Sequence, residues 1–164
     1  MRRITREEVE SAWDELCDMD QQESEKSVAS FMEEQPALGM FLYANEDDPE
    51  DQTTDSRSIE IVLTAWTAFK AAAGRPLKSI TPEQIDLIEE ANTEALMKLE
   101  SASEMEFQAF AQGTLGNHNQ PDLVGFAVEV LMSGHEENPD LAPESIGSQL
   151  LTIKTAIDSL DQHG

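Results

Sequence analysis

Cysteine, basic side chains and long apolar stretches are scarce in this chain, and each shortage closes off a class of function. The single cysteine, Cys17, excludes an internal disulfide and a cysteine-rich zinc site, and it fits a reducing, cytoplasmic setting. No apolar run exceeds the five residues Met40 to Ala44, far short of the ~20 needed to span a bilayer. The opening MRRITREEVE has no apolar stretch behind its basic residues, so a secretory signal is not expected. Lys and Arg number 10 against 34 Asp and Glu. Because cations make the counterion-releasing contacts to phosphate, direct binding to nucleic acid or to an anionic membrane is disfavoured.

Catalytic and cofactor motifs are missing as well. Gly113-Thr114-Leu115-Gly116 is followed by Asn, His, Asn and Gln, without the Lys or Arg of a phosphate loop, although such a loop can still hydrogen-bond a neutral ligand. No HExxH zinc helix is present. His118, His135 and His163 have Leu115, Met132 and Leu160 three residues earlier, where the helical di-iron pattern needs Glu. Beside Glu136 and Glu137, His135 reads as a surface residue of raised basicity. Cys17 falls on an apolar stripe with Trp13 and Leu16, so it reads as a buried, inert thiol. No cofactor or metal is expected on these grounds.

What remains is acidity and helical periodicity. The chain has 164 residues, a net charge of −24 and 39% apolar residues, which suits one domain over 1–164 with a sizeable core. Residues 99–153 hold nine carboxylates and no Lys or Arg, and Glu46 to Asp55 holds six carboxylates in ten positions. The plain reading of this acidity is a solvated, salt-tolerant surface; the functional reading is attraction of a basic protein or a cation.

Thr5 and Glu8 form a capping-box pattern that predicts a helix over about 6–20, with Val9, Trp13, Leu16, Cys17 and Asp20 on one face. Ser24 is expected to cap a second helix carrying Val28, Phe31 and Met32. Pro36 opens a third with Leu38, Phe41 and Leu42. Asp55 or Ser56 opens a long one with Ile59, Val62, Leu63, Trp66 and Phe69, which Gly74 ends. Thr81, Pro82 and Gln84 repeat the capping signal ahead of Ile85, Ile88, Ala91, Ala95, Leu96 and Leu99. A further helix is expected around Glu104 to Gln112 with Phe107 and Phe110. Pro121 opens one that is apolar nearly all round and should be central. Pro143 opens the last, with Ile146, Leu150, Ile153, Ile157 and Leu160 in steps of three and four. The fold class is therefore all-α, a compact domain of about 7–8 helices. Trp13, Leu16, Phe31, Phe41, Trp66, Phe69, Leu96, Phe110, Val128, Leu131 and Ile153 are the expected core.

The same signals recur in order. Ile4 to Glu10 aligns with Ile80 to Asp86, Gln35 to Phe41 with Gln120 to Phe126, Glu46 to Glu50 with Glu136 to Asp140, and Leu63 to Phe69 with Leu151 to Ile157. Collinear matches of this kind predict an internal duplication, with repeats over 4–74 and 80–160 related by a pseudo-two-fold axis. Stacking as an α-solenoid is the alternative.

Paired acidic loops before proline supply the candidate binding residues: Glu46, Asp47, Asp48, Glu50 and Asp51, with Glu136, Glu137 and Asp140. Carboxylates just beyond a helix C-terminus face the negative end of its dipole, at a cost of a few tenths of a kcal/mol each, so local structure does not account for them. An EF-hand is excluded, because Asn45 to Ser56 lacks the turn glycine and the final Glu. The leading expectation is a non-enzymatic interaction module that binds a basic protein. The alternative is an enzyme whose carboxylates, Glu83, Glu90, Glu94 or Glu129, hold a divalent cation inside the bundle. The oligomeric state cannot be read from the residues.

Overall fold

In the computed structural model, residues 1–45, 57–97, 118–137 and 143–164 are described, and every regular element among them is a helix. The helices are α1 (Arg6–Cys17), α2 (Gln21–Glu34), α3 (Pro36–Ala44), α4 (Arg57–Ala73), α5 (Pro82–Met97), α6 (Pro121–Glu137) and α7 (Pro143–His163). The helix expected around 104–112 lies outside the described residues.

Local signals set most of the starts. Thr5 Oγ1 accepts from the Glu8 amide at 3.4 Å while the Glu8 carboxylate accepts from the Thr5 amide at 2.9 Å. Thr81 and Gln84 reproduce both bonds, at 3.4 and 2.9 Å. Pro36, Pro82, Pro121 and Pro143 each occupy a first helical position, where a missing amide donor costs nothing. Gly74, with φ of 61°, ends α4 in the left-handed conformation that a side chain would oppose.

The second start differs from expectation. Asp20, not Ser24, caps α2: its Oδ1 accepts from the Glu23 amide at 2.9 Å, and the Glu23 carboxylate accepts from the Asp20 amide at 3.0 Å. The box closes three residues after α1 has ended, so Asp20 belongs to the turn and not to a face of α1.

The centre of the domain is α4, packed against α1, α2, α6 and α7. Its buried residues run unbroken from Ile61 to Trp66 and include Ser58, Ala68 and Phe69, so more than one side is covered. Thr64 fits there because its hydroxyl donates to the Glu60 carbonyl at 2.8 Å. The expectation that the Pro121 helix is central is thereby corrected: α6 leaves Glu129, Met132 and Ser133 in solvent. Phe31 meets Trp66 edge-on at 5.5 Å, and Lys70 Nζ sits 4.2 Å over the Trp66 ring. Of the expected core, Phe31, Trp66, Phe69, Leu131 and Ile153 are buried, whereas Trp13, Leu16, Phe41 and Val128 are half-buried. Phe110 and the Leu96 side chain lie outside what is described. Val28 and Met32, on the same helix as Phe31, are exposed, because α2 rests chiefly on α3 and α4 and turns only its Phe31 edge inward.

Two fully buried glutamines tie the chain across its length. Gln35 Oε1 accepts from the Ile80 amide at 3.0 Å, and its Nε2 donates to the Lys78 carbonyl at 2.8 Å. Gln120 Oε1 accepts from the Ile4 amide at 2.8 Å, and its Nε2 donates to the Arg2 carbonyl at 3.0 Å. Each glutamine precedes a proline, and each holds the extended segment that leads into a capping box of the other half. Such crossed contacts are not those of a linear helical stack.

Two outcomes follow for stability. Trp66→Ala should cost about 3–5 kcal/mol through the cavity it leaves, read as a large fall in melting temperature. Gln35→Leu and Gln120→Leu should each cost about 1–3 kcal/mol for every backbone group orphaned, and a denaturant titration should find the Gln120 loss the larger, because Gln120 Nε2 also donates to the buried Asp161 carboxylate at 2.6 Å.

Candidate functional site

The candidate acidic residues Glu46, Asp47, Asp48, Glu50, Asp51 and Asp140 lie outside the described residues, as do the side chains of Glu136 and Glu137. The carboxylates considered for an interior cation can be placed. Glu83, Glu90 and Glu94 are exposed on α5, opposite the Ile85, Ile88 and Asn92 side that is buried. Glu129 is exposed on α6 and accepts from Arg6 Nη2 at 2.6 Å. None of the four faces the interior, and among the described residues no group of three or more His, Cys, Asp or Glu is placed to hold a metal.

A polar seam that sequence reasoning missed lies where α7 meets α5 and the turn before α6. Asp158 and Asp161 are buried at 8% and 5% exposure. Asp158 Oδ1 accepts from His118 Nε2 at 2.6 Å, and Oδ2 accepts from Lys154 Nζ at 2.6 Å and Asn92 Nδ2 at 3.1 Å. His118 Nδ1 accepts from the Gln120 amide at 2.9 Å, which puts the ring proton on Nε2. Imidazole beside carboxylate suggests acid–base catalysis, but both ring nitrogens are occupied, leaving no lone pair for a substrate proton. Asp161 is saturated in the same way, by Gln120 Nε2 at 2.6 Å, the Met1 amine at 3.0 Å and Asn119 Nδ2 at 3.1 Å. The seam holds the fold. Its one sequence signal was the cluster of neutral polar residues, Asn92 and His118 to Gln120, in a chain otherwise rich in acids.

Burial pushes the Asp158 carboxyl up, but the His118 hydrogen bond and the Lys154 charge outweigh it and hold the group below the usual carboxylate range. Glu8 is held at about 2, first by the Arg2 guanidinium and then by the Thr5 amide.

A cleft of about 510 Å³ opens between α1, α4 and α6. Trp13 meets Phe126 edge-on at 5.3 Å, and the Arg6 guanidinium lies 5.4 Å from the Phe126 centroid. Arg57 donates to the Val130 carbonyl at 3.4 Å and occupies the space that a Cβ on Gly134 would need. Glu60 and Glu129 also line the cleft, so its two guanidiniums are balanced and it presents no net positive charge.

Cys17 is exposed, not buried. The inward side of α1 runs through Val9 and Ala12, and the last turn carries Cys17 past it. Partial burial and the charges of Glu60, Asp14 and Asp18 raise its pKa, which disfavours the reactive thiolate.

The ion pairs divide the surface unequally. Arg2 pairs with Glu8 at 2.5 Å, Arg3 with Asp122 at 3.2 Å, Arg6 with Glu10 at 2.7 Å, Lys70 with Glu34 at 2.7 Å and Lys154 with Asp158 at 2.6 Å. Glu7, Asp14, Glu15, Asp18, Glu33 and Asp86 are exposed and form no ion pair among the described residues.

No protein family, curated protein or solved structure matches the chain.

The seam predicts a pH dependence. A carboxylate depressed in the folded state stabilises the fold above its unfolded pKa and loses that contribution as pH falls through the folded value. The stability difference between the native chain and Asp158→Asn should therefore shrink as pH falls below about 4. Denaturant titrations across that range measure it.

Proposed function

We propose that the protein is a non-enzymatic, acidic helical binding module of the cytoplasm whose partner is a basic protein. Its scaffold is a pair of related halves, 4–74 and 80–160, joined by crossed glutamine contacts. The observation that carries the reading is the uneven division of charge. Arg2, Arg3, Arg6, Lys70 and Lys154 are engaged with the chain's own carboxylates; among the described residues Lys26, Arg75 and Lys78 are exposed without an ion pair, against Glu7, Asp14, Glu15, Asp18, Glu33 and Asp86. A surface of this kind steers positive charge inward and turns phosphate away. The sequence adds further acids at Glu46 to Asp51 and Glu136 to Asp140, which strengthen the same field.

Support for related halves comes from matched details. Thr64 and Thr152 are equivalent in the sequence alignment; both are buried, and both donate to the carbonyl four residues earlier, at 2.8 and 3.1 Å. The capping boxes at Thr5 and Thr81 and the glutamines at 35 and 120 correspond in the same alignment.

The test is capture from the source cells' lysate on the immobilised protein, followed by purification and rebinding of each captured protein alone. The expected partner is basic, and its affinity falls about tenfold or more as salt rises from about 0.15 M to about 0.5 M. Replacing Glu46, Asp47, Asp48, Glu50 and Asp51 with Asn or Gln should weaken rebinding without lowering the melting temperature. An acidic or neutral partner would overturn the reading. So would a melt that Ca²⁺ or Mg²⁺ raises while no basic protein binds.

A further inference from the structure

The α2–α3 pair places four large apolar side chains in solvent: Val28 at 36% exposure, Met32 at 37%, Met40 at 71% and Tyr43 at 68%. Val28 and Met32 are four apart and so share one side of α2, which Glu25 extends a turn earlier. The Met32 thioether lies across Gly39 on α3, in the space that a Cβ would fill, so the two helices meet at this point. Tyr43 follows Gly39 by four residues and sits one turn further along the same side of α3. Met40, three residues before Tyr43, borders it. The result is one apolar surface shared by two helices, while Leu87, Met97 and Met132 are exposed singly on α5 and α6 and need no explanation.

Charge decides what can cover this surface. A second copy of the chain would bring another −24 against it, and an anionic bilayer would be repelled in the same way. The exposed carboxylates of Glu23, Glu25 and Glu33 on α2, against Lys26 alone, favour a cationic rim on whatever binds. Methionine adapts its three torsions and polarisable sulfur to varied apolar shapes, and tyrosine adds rigid contact area. The nine residues of α3 give a platform of about 13 Å, matching roughly two and a half turns of an incoming helix. We infer that the outer face of α2 and α3 docks the apolar side of a basic amphipathic helix. This rests on the reading of the protein as a module for basic partners, and it assigns the contact that gives that module specificity.

The probe is a synthetic amphipathic helix of Leu and Lys at helical spacing, compared with a scrambled peptide of the same composition. Binding is followed by calorimetry and by the methyl resonances of ¹³C-labelled methionine. Met32 and Met40 should shift on addition of the amphipathic peptide while Met97 and Met132 stay in place, and the scrambled peptide should bind about tenfold more weakly. Met40→Gln with Tyr43→Gln, both at exposed positions, should leave the melt unchanged and remove about tenfold in affinity. Leu87→Gln should remove none. Equal affinity for both peptides, or for the native chain and the double variant, overturns the docking surface while salt-dependent binding leaves the basic-partner reading standing. Failure of both peptides to bind at low salt overturns both. A native dimer in sedimentation that the double variant dissolves would assign the face to a second copy and overturn the inference.

Discussion

Hydrogen-bonding groups of the main chain cannot be left alone in an apolar interior, and in this protein two amide side chains answer that requirement. The extended segments before α1 and α5 bring Ile4 and Ile80 fully into the core, which strips their amides of water. Gln120 and Gln35 replace that water with one acceptor and one donor each. The consequences spread outward. Once Gln120 holds the segment at Arg2 and Ile4, α1 must start beside α6. Once Gln35 holds Lys78 and Ile80, α5 must start beside α3. The long helices α4 and α7 are then enclosed against each other, as observed.

Each glutamine has a side-chain contact close to it. In the alignment that matches Phe69 with Ile157, Lys70 corresponds to Asp158. Just before the glutamines, Glu34 stands in one half, and His118 and Asn119 stand in the other. Lys70 pairs with Glu34 at 2.7 Å, and Asp158 pairs with His118 at 2.6 Å. In one case the residue just before the glutamine supplies the carboxylate that accepts, and in the other the residue two before it supplies the donor to a carboxylate. Under the proposed duplication, a contact close to the glutamine was retained while the residues supplying it changed. That change hides the relation from simple identity, since Lys and Asp would be scored as a mismatch.

Legibility in the sequence followed the range of the interaction concerned. Capping boxes, prolines at first helical positions and Gly74 act within a few residues, so the starts of α1, α3, α5, α6 and α7 and the end of α4 could be read directly. The cap at Asp20 was equally local, for Asp20 and Glu23 have the box spacing, but placing Asp20 on the apolar face of α1 obscured it. Burial of Asp158 and Asp161 could not be read, because it depends on partners 40 to 160 positions away: Asn92, His118, Gln120 and the Met1 amine. Cys17 went wrong for a related reason. Periodicity identifies an apolar side of a helix, but only the neighbouring helices determine how wide a strip of it they cover.

The acids, finally, are not placed where they serve the fold best. At helix starts they help: Glu8 and Glu23 close capping boxes near the positive ends of their helices. At helix ends they do not. The last turn of α1 holds Asp14 and Glu15, the last turn of α2 holds Glu33 and Glu34, and neither has a basic residue. Only Glu34 is relieved, by Lys70. The repulsion left at Asp14, Glu15 and Glu33 is a standing cost to the folded state, small per residue and screened by salt. External cations would remove it, so any basic partner that binds these ends must also stabilise the helices that carry them. In the proposed docking the apolar face of α2 and α3 adjoins the unrelieved charge of Glu33, next to Met32 on α2. A ligand with apolar and cationic sides meets both needs at one place, whereas a purely cationic ligand meets only the second.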